Sequence, residues 1–464
     1  MLRMYKTLLL SFSLLLLGCS EAADVAQSQP ANGQSSVPPD TLVTNVQVVI
    51  WQEQQAQLLR NASIAIKDGV IVDVTSQPDP MLTAAATEII DGKGAYALAG
   101  FTEMHGHVPA AVNFGGMPET YADDMLFLYI ANGVTTVRGM LGYTRQLQLK
   151  KDIASGQRIG PNLFLAGPSF NDSTVASPEQ AAARVREHVA EGWDLLKIHP
   201  GLELAEYRAV AAAARAEGID FAGHVPVAVG IDVAMAEGQR TIDHLDGYLR
   251  YVDASNRPIT ASELDALVEL TLAHNTAVVP TQALWATLIG AGDAVALANY
   301  PELALVPERV REGWLDYYPS RGSSYFNTDN AAVQQDNRRQ LLQALYEGGA
   351  TIIFGTDAPQ LFSVPGYSIH HEIRYMQAAG MPLEAIYYSA TVAAGDYFGD
   401  DDSGTRIGHI DSGYQADFML LKDNPLASAA ALQEPQGVMV RGQWFDRATL
   451  DARIAEIRAR YASP

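Results

Sequence analysis

Cysteine is almost absent: the chain of 464 residues holds one. A single thiol cannot build an internal disulfide framework or a cysteine-based zinc module, and it excludes a cysteine-rich secreted mini-domain. Any metal must then be held by His, Asp, Glu or Lys. Positive charge is scarce too, with 31 Lys and Arg against 53 Asp and Glu and a net charge of −22. A surface of that sign repels phosphate backbones, which argues against a nucleic-acid partner. Beyond residues 1–19 no apolar run approaches the length of a membrane span, and no fixed-period repeat is present. What is there is a globular composition, 48% apolar and 18% charged. It is long enough for one α/β barrel of about 250 residues or more plus a smaller domain.

Residues 1–19 read MLRMYKTLLLSFSLLLLGC. Arg3 and Lys6 precede an apolar run over 7–17 that is short for a bilayer span and has the order of a secretory signal. Its end, Leu16-Leu17-Gly18-Cys19, resembles the bacterial lipoprotein lipobox, in which the cysteine is acylated and becomes the mature first residue. That resemblance implies a signal peptide over 1–18, lipidation at Cys19 and a membrane anchor of several acyl chains. Ser20 follows where an Asp would retain the protein at the inner membrane. The expected location is therefore the bacterial cell envelope, anchored in the outer membrane and facing the periplasm. Residues 19–40, rich in Ala, Gln, Ser and Pro with no periodic apolar face, read as a flexible tether.

Over 41–97 the short β-like runs LVTNVQVVI, ASIAIKDGVIVDV and TEIIDGKGAYAL are broken by turn signals at Lys67-Asp68-Gly69 and Asp91-Gly92. Similar runs return over 400–447, in IGHIDSGYQADFMLLKDN and PQGVMVRGQWFD. Together they predict a small β-sandwich domain built from both chain ends, with a C-terminal helix over 448–464. Between them, over 98–399, strand-length apolar runs alternate with helical patterns: the run ending at Met104, then GVTTVRGM, NLFLAG, LLKIH, DFAGH, TIDH, AVVPTQ and TIIFGTD. That count predicts an α/β fold, a (β/α)8 TIM barrel.

The chemistry-bearing residues fall at the ends of these runs. His105 and His107 form an H-x-H whose side chains share one side of a strand. Lys197 lies among leucines and isoleucine in the fourth run, where an unpaired ammonium is costly or depressed in pKa. Held neutral, it can react with carbon dioxide to give a carbamate able to bridge two cations. His224, His244 and Asp357 close the fifth, sixth and eighth runs. Each residue has a bland reading alone, as a core histidine, a turn or cap aspartate or a paired lysine. All converging on the carboxyl-terminal mouth of one barrel points to a binuclear metal site.

With these motifs the sequence resembles the amidohydrolase superfamily of binuclear metallohydrolases. The likeness spans about residues 60–447, from IIDGKGAYALAGFTEMHGH to GHIDSGYQADFMLLKDNPL. ANGVTTVRGM, LLKIHPGL, GHVP, DHLDG, FGTDAP and GYSIHHEIRYMQAAGM are most similar to the prolidase-like and imidazolonepropionase-like branch. The resemblance implies His105, His107 and Asp357 on the more buried metal, His224 and His244 on the more exposed one, and carboxylated Lys197 bridging them. It also implies two divalent ions, zinc by default for this donor set. A hydroxide shared between the ions would attack, and Asp357 would pass its proton to the leaving nitrogen.

Other residues carry weaker readings. Arg138, after the second run, could clamp a substrate carboxylate or form a salt bridge under a loop. His199, Tyr248 and Asp246 are further substrate-contact candidates. His370, His371 and Glu372 resemble a metal cluster but open a run with helical spacing. His188, His274 and His409 read as solvated. The long stretch over 284–334, with Trp285, Tyr300, Trp314, Tyr317, Tyr318, Tyr325 and Phe326, reads either as an aromatic cover that sets substrate choice or as a packed insertion or homo-oligomer contact.

The expected activity is metal-dependent hydrolysis of an amide C–N bond in a small-molecule substrate, a dipeptide or N-acyl amino acid. Lactone, ester or organophosphate hydrolysis at the same site is the alternative. A heterocycle deaminase fits less well, since GHVPVAVG lacks the glutamate that mononuclear deaminases carry there. A non-catalytic surface lipoprotein would not need every ligand position filled.

Overall fold

A computed structural model describes residues 38–76, 80–109, 119–317, 329–399 and 406–462; the lipobox and Cys19 lie outside them. Among the described residues no helix is long and apolar enough to cross a membrane.

The amino-terminal β runs form as their turn chemistry dictates. β1 (Thr41–Gln52) pairs antiparallel with β2 (Gln55–Lys67), and β2 with β3 (Val70–Thr75). Asp68 (φ 50°) and Gly69 (φ 79°) make the β2–β3 reversal, the left-handed pair that a two-residue type I′ hairpin requires. A β-carbon on Gly69 would also lie 2.8 Å from the Arg441 carbonyl oxygen. The glycine therefore serves both the turn and its approach to the other end of the chain. β4 (Glu88–Asp91) and β5 (Tyr96–Ala99) join β1 in parallel.

Short parallel strands separated by helices follow. β6 (Phe101–Gly106), β7 (Val134–Gly139) and β8 (Asn162–Leu165) pair in order. So do β9 (Leu195–Ile198), β10 (Asp220–Gly223), β11 (Thr241–Asp243) and β12 (Ala277–Val279). Most of these residues are buried, which is why the runs are continuously apolar rather than alternating. Parallel bridges Ala166–Leu195 and Phe170–Ile198 connect β8 to β9.

The expected eighth strand, TIIFGTD, is not a regular strand. It makes one parallel bridge, Ile352 to Val278, and then its N–H groups go elsewhere: Phe354 N donates to Ser389 O (3.2 Å) and Thr356 N to the Glu103 carboxylate (2.7 Å). The segment still lies beside β6, since Met104 N donates to Phe354 O (3.0 Å) and Asp357 N to His105 O (2.6 Å). The arrangement is an α/β, TIM-barrel-like fold.

β13 (Phe418–Leu421), β14 (Gly437–Val440) and β15 (Gln443–Asp446) return to the first sheet, β13 pairing antiparallel with β5. The strand order β15-β14-β13-β5-β1-β2-β3 therefore joins both chain ends around Val43, Ile64, Ala97, Phe418 and Met439.

Helix ends follow local chemistry. The helix Pro178–Glu191 starts at Ser177, whose side chain accepts from Gln180 N, and stops at left-handed Gly192 (φ 89°). His188 is not solvated as expected: it shares the inner face of this helix with Ala181 and Val185 and packs edge-on against Phe170 at 5.1 Å. His409 is half-buried beside Tyr414, whereas His274 is exposed. The last helix, Arg447–Tyr461, is capped by Asp446 and pinned by Asp124 of the helix Glu119–Ala131. The buried Asp124 carboxylate accepts from Arg453 (2.9 Å) and the Tyr461 hydroxyl (2.7 Å) and pairs with Arg460. Asp124→Ala should lower stability by about 1.5–3 kcal/mol, the worth of charge-assisted hydrogen bonds, and speed amide exchange in the last helix first. An unchanged melting temperature would refute the pin.

Candidate active site

The strand period places Glu103 and His105 of β6, and His107 just past its end, on one side. His105 is 1% exposed. Its Nδ1 lies 2.7 Å from Asp243 Oδ2 and its Nε2 lies 3.0 Å from Lys197 Nζ. A carboxylate on one ring nitrogen holds the proton there and leaves the other nitrogen as a ligand. Asp243 is itself held by the Thr241 hydroxyl (2.6 Å) and by Arg138, 3.3 Å from both oxygens. A buried chain thus runs from Arg138 through Asp243 to His105.

The remaining groups close around it. His107 Nε2 lies 2.6 Å from Asp357 Oδ1, and the Asp357 carboxylate is 3.8 Å from His105 Nε2 and 3.7 Å from His244 Nδ1. The His244 ring centroid is 4.3 Å from that of His105 and 4.5 Å from that of His224. Oxygen partners orient both rings: Thr281 Oγ1 at 2.7 Å from His244 Nδ1 and Asp246 Oδ2 at 2.6 Å from His224 Nδ1. The structure therefore brings His105, His107, Lys197, His224, His244 and Asp357 together at the strand ends.

Backbone strain gathers at the same place. His244 (φ 65°), Leu245 (φ 53°) and Asp357 (φ 63°) are left-handed, a conformation that costs a residue with a side chain on the order of 1 kcal/mol. Arg338 supports the first of these by donating to His244 O at 2.7 Å, while its guanidinium covers the Trp285 ring at 4.8 Å. Glu103, which sequence reasoning missed, accepts from His105 N (3.0 Å) and from Thr356 N and its hydroxyl. It thereby spaces the His105 strand against the Asp357 segment. Burial pushes its carboxyl up to about 8, against the pull of those hydrogen bonds.

The donor set fits a divalent cation. His105, His107 and Asp357 offer ligand atoms within 4.8 Å of one another. His107 Nδ1 and His244 Nε2 are buried with no hydrogen-bond partner among the described residues, a costly state for polar nitrogens that a cation would relieve. Burial, reinforced by neighbouring Lys197 and other imidazoles, holds His105 and His244 well below the usual histidine range, so both are neutral and able to act as ligands. Burial also lowers the Lys197 ammonium to about 8, although Asp243 and Asp357 oppose the shift.

Arg138 is not at the mouth. It is wholly buried, donating to Met104 O, Thr241, Tyr397 and Asp243, so no donor is left for the substrate carboxylate first envisaged for it. Tyr248 is likewise buried, its hydroxyl bonded to Thr271 (2.8 Å). His199 does adjoin the site: it stacks on His224 at 5.1 Å, and its buried Nδ1 has no partner among the described residues. His370, His371 and Glu372 sit in the helix Ser368–Ala378. His371 bonds Glu302 (2.6 Å), and Glu372 accepts from Gln282 N and Ala283 N, so they brace the segment after β12. That segment is helical where described. Trp285 lies 5.5 Å from His244, while Tyr300 stacks on His371 and Trp314 meets Phe362. Tyr318, Tyr325 and Phe326 lie outside the described residues.

Imidazoles and a carboxylate gathered at the strand ends of a barrel-like fold are how metal-dependent barrel enzymes are built, and this protein falls in that class of enzymes. The chain belongs to the amidohydrolase family, whose model matches residues 96–445. Ochratoxinase from Aspergillus niger is 25% identical over 416 residues, covering 82% of this chain and 81% of the relative. Among solved structures, bottromycin amidohydrolase superposes with a TM-score of 0.68 at 23% identity, covering 91% of this chain and 90% of that one. A Xaa-Pro dipeptidase with methionine bound in its active site gives a TM-score of 0.63 at 22% identity, covering 88% and 99%.

Proposed function

We propose that this enzyme hydrolyses the amide bond of a dipeptide or N-acyl amino acid. The observation that carries the reading is Lys197: fully buried, its Nζ lies 3.0 Å from a histidine ligand atom and beside the carboxylate of Asp357. A permanent cation there would oppose metal binding. As a carbamate, formed from the neutral amine and carbon dioxide with release of a proton, the same side chain supplies two oxygens that share one negative charge. His105, His107 and Asp357 would hold one ion, His224 and His244 the other, and carboxylated Lys197 both. When bound, such a pair, zinc by preference for these donors, lowers the pKa of water and polarises the scissile carbonyl. Asp357 accepts a proton from water at its carboxylate and delivers it to the leaving nitrogen. Asp243 and Arg138 keep His105 in its ligand tautomer throughout.

The family, and relatives whose names are an amidohydrolase and a Xaa-Pro dipeptidase, support amide cleavage over the ester, lactone and organophosphate alternatives. We extend the reading to a closed (β/α)8 barrel over 98–399 and a two-layer β domain from 41–97 and 400–447. On the lipobox resemblance, we place the protein in the bacterial envelope, tethered by residues 19–40 and lipidated at Cys19.

The test is amino-acid release from L- and D-dipeptides and N-acyl amino acids by metal-reconstituted protein, with Asp357→Asn as control. Release by the first and not the second supports the reading. Silence, with turnover of lactones, esters or phosphotriesters, would replace it.

A further inference from the structure

The site described so far offers no arginine to a substrate, because Arg138 and Arg338 are both spent on protein partners. The chain also carries a net charge of −22, a field that repels anions from its surface. An anionic substrate therefore needs a local positive group at the mouth.

One lines a pocket that adjoins Asp246, the partner of His224. The pocket, of about 100 Å³, opens where the loops after β9, β10 and β11 meet, bordered by Pro200, Val225, Val227, Asp246, Arg250 and Tyr251. It touches the site twice. Asp246 is bonded to His224 at 2.6 Å, and Pro200 follows His199, which stacks on His224. Arg250 is exposed, and its guanidinium has no hydrogen-bond or ion-pair partner among the described residues. Val227 and Tyr251 are 66% and 50% exposed, an apolar lining left open next to a free cation. Asp246 also borders the pocket, but one of its oxygens is engaged by His224.

We propose that this pocket receives the leaving amino acid of the substrate, with Arg250 binding its α-carboxylate and the apolar wall taking a small side chain. The inference rests on the amide-hydrolase reading and assigns the group that recognises the free carboxylate its substrates carry on the leaving side. A guanidinium presents two parallel donors that match a carboxylate, whereas a carboxamide at the same position offers one acceptor and no charge. The small volume favours alanine over phenylalanine as the leaving residue.

Steady-state kinetics on matched dipeptides ending in alanine and in alanine carboxamide would test it in the metal-loaded, full-length enzyme. For the acid, Arg250→Met should raise KM about ten-fold with kcat little changed, as expected for loss of charge-assisted hydrogen bonds to the carboxylate. Arg250→Lys should recover part of the loss, and the carboxamide should be indifferent to both changes. Equal KM values for the acid in wild type and Arg250→Met would overturn the assignment. Binding of alanine, the leaving product, read by calorimetry, decides the same point without turnover. If it binds and weakens in Arg250→Met while no amide is cleaved, the carboxylate site stands and the amide-hydrolase reading falls. If it binds both proteins alike, or neither, the carboxylate site falls.

Discussion

Lys197→Ala is expected to lower kcat/KM by at least about a thousand-fold and to strip the protein of most of its metal. The magnitude follows from what the side chain touches: removing groups that merely orient a ligand costs about 10–100-fold in metal affinity or activity, and Lys197 lies 3.0 Å from a ligand atom itself. Alanine leaves a cavity open to small anions, so acetate or propionate should restore part of the activity and part of the metal content by supplying the missing carboxylate. Metal analysis before and after dialysis, with and without propionate, separates this from a folding defect. A variant that keeps both metal and activity would remove the carbamate from the mechanism.

Asp357→Asn should act differently. The amide oxygen keeps the shape and a ligating atom but cannot accept a proton, so kcat should fall about 10²–10⁴-fold, the usual worth of a positioned acid–base group, with a smaller change in KM. The hydrogen bond with His107, now 2.6 Å, can persist through the amide, so the fold should survive. Circular dichroism and melting unchanged alongside lost turnover is the expected pair of results. Unaltered turnover would mean that the proton leaves water by another route.

The candidate metal ligands were legible as polar residues within or just after apolar runs, and the barrel-like order of those runs brings them to one end of the fold. Their supports were harder to see. Asp243 stands one residue before His244, where strand alternation predicts opposite faces; only the folded chain, with His244 left-handed just past the strand, shows that both meet His105. Glu103 was within reach, since period-two counting back from His105 lands on it, and a carboxylate buried in AGFTEMHGH needs partners. Arg138 was misplaced because a strand-end position in sequence does not tell which way a long side chain turns; here it turns back inside, to Met104 O and Asp243. The eighth strand is irregular where Thr356 N goes to the Glu103 carboxylate and Phe354 N to Ser389 O, partners that propensity cannot register.

The sheet joining both ends of the chain has a consequence for biosynthesis. β5 ends at Ala99, yet its partner β13 begins at Phe418. At roughly 5–20 residues per second, the β5 edge waits on the order of a quarter to a full minute for its neighbour to leave the ribosome. During that time its backbone N–H and C=O groups, and the apolar face of Val43, Ile64 and Ala97, are open to other strands. A nascent chain in this condition exposes the kind of surface that holdase chaperones cover, and β13 to β15 close it when β13 pairs with β5.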